Sequence, residues 1–99
     1  MRYRYKEHAI CNHCGRQIDL PKDTVIEWNE HGIRLCHFDC STSVRNASVP
    51  ISTMELDSPM LLPDIVYDRL CELEQSRFGS SARLIRQDIF MEPLGACNS

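Results

Sequence analysis

No stretch of this chain approaches the roughly 20 consecutive apolar residues that a membrane-spanning helix needs, so no such helix is expected in its 99 residues. Its basic start, Met1-Arg2-Tyr3-Arg4-Tyr5-Lys6-Glu7, runs into no apolar stretch of the kind a secretory signal carries. The expected address is therefore cytoplasmic or nuclear, where thiols stay reduced. A strong charge of either sign is missing too: the net charge is -3 and the isoelectric point is near 5.7. That balance argues against a surface devoted to nucleic acid, leaving only a local basic face at Arg2, Arg4 and Lys6. There is no internal repeat and no low-complexity tract. An apolar content of 42% is too high for a disordered tail.

Cysteine, by contrast, is plentiful. Cys11, Cys14, Cys36 and Cys40 crowd into 30 positions, while Cys71 and Cys97 stand apart. A chain this short buries little surface and usually needs a metal, disulfides or a partner for stability. With no export signal and a tight Cys-x2-Cys pair, metal is favoured over disulfides. Cys71 is expected to be a small packed residue on a helix.

Cys11-Asn12-His13-Cys14-Gly15 reads as a knuckle that points two thiolates at one spot. Gly15 suits its tight turn. Thr24-Val25-Ile26-Glu27-Trp28 and Ile33-Arg34-Leu35 read as two strands, joined through a turn at Asn29-Glu30-His31-Gly32. This hairpin returns the chain to the knuckle with a second pair, His37-x2-Cys40. Zinc takes four such ligands in a tetrahedron, so Cys11, Cys14, His37 and Cys40 are the expected site and Zn2+ the expected cofactor. Cys36 competes with His37, because a Cys36-x3-Cys40 pair also fits one helical face; the alternative reading of Cys36 is a buried apolar residue. Four protein ligands leave no position for a reacting water, so no catalytic residue is assigned and no enzyme activity is expected.

Knuckle, hairpin and helix in that order resemble a treble-clef zinc finger. Cys11-Asn12-His13-Cys14 followed by Leu35-Cys36-His37-Phe38-Asp39-Cys40 is similar to the first zinc module of LIM domains, over roughly residues 8–46. Where that family begins a second metal module, this chain has Ser41, Thr42 and Ser43. The resemblance thus implies one zinc, and protein binding as its function.

The module, residues 1–46, is expected to end in a helix from Phe38 to about Asn46, followed by a Ser/Thr/Pro-rich linker over 47–60 and a helical segment over 61–92. Pro63 and Asp64 suit a helix start. Leu62, Ile65, Val66, Leu70 and Leu73 recur near the helical period over 63–77, and Gly79 suits its end. Ser81 then caps a second helix, 82–91, with Leu84, Ile85 and Ile89 on one face. Asp64, Asp68, Glu72 and Glu74 read as a solvated face. The fold class is α+β: a small zinc-bound treble clef followed by two helices.

Those helices carry more apolar residues than a small zinc module covers, so they either fold back on it or meet a partner. The expected function is a small intracellular zinc-binding protein-interaction module, of the kind a transcription-associated adaptor or inhibitor uses. Its partner would be another protein or a second copy, met through the C-terminal helices, with no membrane involved. The alternative is a nucleic-acid-binding zinc finger, with Tyr3 and Tyr5 stacking on bases beside the basic residues.

Overall fold

The computed structural model describes residues 3–41 and 51–91. Strands β1 (His8–Ile10) and β2 (Gln17–Asp19) form a short antiparallel hairpin around the knuckle. Strands β3 (Thr24–Asn29) and β4 (Gly32–His37) form the longer hairpin. Its turn holds only Glu30 and His31, and the Asn29 side-chain oxygen accepts the His31 N–H at 2.8 Å. The Thr-Val-Ile-Glu-Trp run is a strand because β-branched and aromatic side chains fit a pleated surface covered on both sides.

Two differences from the sequence expectation follow β4. Phe38–Cys40 form a 3-10 turn, and Ser41 is extended. No helix continues through Ser41, whose hydroxyl donates to Glu27 Oε2 at 2.8 Å. Residues 42–46 of the expected helix lie outside the described residues. The expected linker holds a strand, β5 (Ser52–Glu55), which pairs antiparallel with β3 and makes the sheet order β4-β3-β5. A four-residue strand set in a Ser/Thr/Pro-rich context has too little apolar alternation to be visible before its partner is known.

Helices α1 (Pro63–Glu74) and α2 (Gly79–Ile89) complete the chain. Gly79 does not cap α1, which ends at Gln75. It opens α2 with a φ of 40°, a backbone conformation that costs glycine little. The helices fold back on the module. Ala9, Cys11 and Ile18 from the knuckle hairpin share one core with Ile26, Leu35 and Met54 from the sheet and with Val66, Leu70, Ile85, Ile89 and Phe90. Each large apolar side chain buried there contributes roughly 1.5–3 kcal/mol. The inward faces differ in part from those expected. Leu62, Ile65 and Leu84 are exposed, while Tyr67 and Arg86 are buried.

Tyr3 and Tyr5 turn inward rather than toward solvent. Tyr5 bridges Phe90, and the Lys6 N–H donates to the Ile89 carbonyl at 2.8 Å. Tyr3 stacks on Tyr67 at 3.8 Å, and Tyr5 stacks on Phe90 at 5.1 Å. One face of each ring is therefore occupied by the core. The Tyr5 hydroxyl is buried without a hydrogen-bond partner, and burial raises its pKa.

The charges on α1 are not all solvated. Glu74 accepts from the Arg86 guanidinium at 2.5 Å, and Arg86 also donates to the Tyr67 hydroxyl at 3.1 Å. Both charged side chains are over nine-tenths buried, at 8% and 6% exposure. Asp64 accepts the Tyr3 N–H at 3.2 Å. Cys71 is buried as expected but is disulfide-bonded rather than a free thiol; Cys97 lies outside the described residues. Cysteine pairing is set by tertiary distance, which spacing in the sequence does not report. Among the described residues no helix is long and apolar enough to cross a membrane.

Two substitutions test these buried polar groups, read as changes in urea midpoint. Glu74→Ala removes the carboxylate that pairs with the buried Arg86 charge and is expected to cost about 3 kcal/mol or more. Tyr5→Phe removes an unpaired hydroxyl and is expected to stabilise by about 1 kcal/mol.

Candidate metal centre

Two separate backbone devices build the site. The knuckle closes when the Gly15 N–H donates to the Cys11 carbonyl at 2.9 Å and the Cys11 N–H donates to the Arg16 carbonyl at 2.9 Å. Gly15 makes this turn at a φ of 75°, in the left-handed region that side chains other than glycine's resist. The turn aims the N–H groups of His13 and Cys14 at Cys11 Sγ, at 3.3 and 3.4 Å. The second device is the end of β4, where His37 pairs with Thr24 and the 3-10 turn brings Cys40 back beside it.

Asn12 joins the two. Its N–H donates to the Leu35 carbonyl at 2.8 Å, and its side-chain oxygen accepts the Leu35 N–H at 2.9 Å. The knuckle is thereby clamped along the outer edge of β4. Nothing in the sequence singles out this role, because an asparagine inside a knuckle reads as an ordinary turn residue.

The result gathers the four expected side chains. One ligand atom from each of Cys11, Cys14, His37 and Cys40 lies within 4.8 Å of all the others. His37 Nδ1 is 3.4 Å from Cys14 Sγ and 3.9 Å from Cys40 Sγ. A tetrahedron with zinc-length bonds separates its corners by about 3.5–3.8 Å, so these contacts suit a shared metal ion. The other ring nitrogen, Nε2, sits 3.1 Å from the Gln17 carbonyl. A proton on Nε2 donates there and leaves the Nδ1 lone pair facing the thiols, the usual orienting contact for a metal-ligating histidine. The four side chains can thus hold a metal ion.

Burial and charge grade the ligands. Cys11 is buried, Cys14 is exposed, and His37 and Cys40 lie between. Burial pushes the Cys11 thiol up, but N–H groups of Cys14, His37 and His13 outweigh it and bring the pKa down to about 6. Cys40 is pushed up to about 11, by desolvation and then by its hydrogen bonds with Cys11 and Cys14. Thiols this close resist ionising together, and a divalent cation reverses that by holding all of them as thiolates.

The competing ligand is placed elsewhere. Cys36 is fully buried in the core, and its thiol is raised to about 12 by desolvation and by the nearby Glu27 charge. It is therefore a protonated, apolar packing group. His13 points into solvent, and exposed His31 lies 3.6 Å from Glu30.

No protein-family model, curated protein or solved structure matches this chain.

Elemental analysis of the purified chain and three variants separates ligand from neighbour. Cys14→Ser and His37→Ala are expected to lose bound metal, while Cys36→Ala keeps a full equivalent and loses only stability. The packing loss is expected to be about 1 kcal/mol, the scale of a small group removed from a core.

Proposed function

We propose that the cluster holds one structural zinc ion and that the chain is a small protein-interaction module stabilised by it. The observation that carries this reading is the closure of four side chains on one point, with His37 oriented by Gln17. Three thiolates and an imidazole in a tetrahedron suit zinc, whose filled d shell imposes no other geometry. When bound, the ion supplies a cross-link between the knuckle and the end of β4. Cys11 anchors that link to the core, Cys14 and Cys40 complete the charge, and Gln17 holds the ring of His37. With the fourth position taken by protein, the metal is structural rather than catalytic.

Protein is the favoured partner for two reasons. The aromatic faces of Tyr3 and Tyr5 are committed to the core. Large apolar side chains are exposed on the C-terminal half, among them Met60, Leu62, Ile65 and Leu84.

Removing the ion tests the structural role. A strong chelator is expected to collapse the dispersed amide spectrum of residues 8–41, with recovery on adding back one equivalent of zinc. Structural zinc supplies on the order of 10 kcal/mol of apparent folding free energy. A metal-free chain with an unchanged spectrum would overturn it. For the interaction itself, the immobilised zinc-loaded chain should retain a protein that the chelator releases. Retention of nucleic acid alone, lost steeply with salt, would replace that reading.

A further inference from the structure

The three-stranded sheet has two edges, and they are finished differently. The β4 edge is closed by Asn12, which takes both main-chain groups of Leu35. Among the described residues the β5 edge is open. The Leu56 N–H donates to the Thr24 carbonyl at 2.9 Å, and with the pairs Ile26–Met54 and Trp28–Ser52 in register the antiparallel alternation turns Thr53 and Glu55 outward. The Glu55 carbonyl accepts the Ser58 N–H at 3.2 Å. The Thr53 N–H and carbonyl and the Glu55 N–H face away from β3 with no partner among the described residues.

Beside this edge runs a groove of about 370 Å³, between the sheet and α1. Trp28, Met54, Met60, Leu61 and Ile65 supply its apolar lining, and Glu55 and Arg69 its charged residues. Met60 is 84% exposed and Ile65 43%. Unpaired main-chain groups along an apolar groove are the arrangement that captures an extended peptide as an added strand.

We propose that β5 and α1 form a docking site for an extended peptide segment of a partner protein. The segment carries an apolar residue and, two positions away, an aspartate or glutamate. This deepens the interaction-module reading by naming its surface, and it rests on that reading. A strand laid against β5 bonds to Thr53 and Glu55 and sends alternate side chains to the groove side. One apolar side chain covers Met54, Leu61 and Ile65. The next on that side reaches Arg69, one turn beyond Ile65 on α1. Glu55 follows Met54 in the strand and so projects its side chain to the opposite face, leaving Arg69 to set the charge preference there. The Arg69 guanidinium lies 3.6 Å from Glu72, in a pair exposed on both sides; such a pair contributes little and yields readily to a new carboxylate. A second copy of this chain fits less well. The groove-side residue of its own β5 is Met54, already buried in its own core, so β5-to-β5 pairing leaves both grooves unfilled.

The probe is the blocked heptapeptide acetyl-Thr-Thr-Leu-Thr-Asp-Thr-Thr-amide, titrated to on the order of 1 mM into the zinc-loaded, isotope-labelled full chain. Amide shifts are expected at Thr53, Glu55, Ile65 and Arg69, with slowed hydrogen exchange at Thr53. Replacing Asp by Lys in the peptide should weaken binding about fivefold, and Arg69→Glu should reverse that preference. Thr53→Pro removes the outward N–H without touching the β3 ladder, and should weaken binding about tenfold. Arg69→Glu lies on the surface and keeps the test valid if the proline variant misfolds. Absence of these shifts, shifts centred on Leu84, or a concentration-dependent dimer blocked by Thr53→Pro would each overturn the groove. So would a zinc-dependent protein partner retained equally by both variants, although the interaction-module reading would then stand. Loss of any zinc-dependent protein partner would instead remove that broader reading.

Discussion

Three thiols and an imidazole held within 4.8 Å of one another resist ionising together until a cation joins them. The geometry nevertheless builds toward this convergence from two independent pieces of backbone. The knuckle turn at Gly15 and the end of β4 both aim inward, and Asn12 ties one to the other. Cys11 belongs to the site and to the core together, so whatever orders the ligands also orders the packing of Ala9, Ile18 and Leu35. A small chain with limited apolar surface depends on such a cross-link more than a large one does.

A second polar constraint organises the other half. Glu74 and Arg86 pair between α1 and α2 at a depth where an uncompensated charge is strongly unfavourable. The Tyr67 hydroxyl shares Arg86, while the Tyr67 ring carries Tyr3. The N-terminal arm is thereby drawn onto the C-terminal helices, and the bridge from Tyr5 to Phe90 joins the two ends of the described chain. The same packing turns one face of each tyrosine ring onto the core. Among the described residues the β5 edge stays unpaired beside the groove along α1.

The metal cluster was the most legible feature because its information is local. Two ligand pairs, each three positions apart and separated by a hairpin, can converge in few ways. The hairpin itself was legible from Thr24 to Leu35, since β-branched residues flank a short polar turn. The existence of both C-terminal helices was legible from periodicity, but the faces they bury were not. Leu84 matches the apolar pattern and is exposed, whereas Arg86 breaks it and is buried because Glu74 waits for it. The choice of His37 over Cys36 was open to spacing alone. Strand alternation decided it by turning Cys36 into the core.

The sequence by itself determined the ligand types and spacing, the α+β composition and the need for a stabilising cross-link, because these follow from side-chain chemistry and short-range periodicity. The tertiary structure decided the rest. It made a strand of Ser52–Glu55, since a four-residue segment becomes a strand only when β3 is there to pair with it. It placed Tyr3 on Tyr67, a contact between residues far apart in the chain that no local pattern encodes. It closed one sheet edge with Asn12 and left the other open, a difference visible only once both hydrogen-bond ladders are in register.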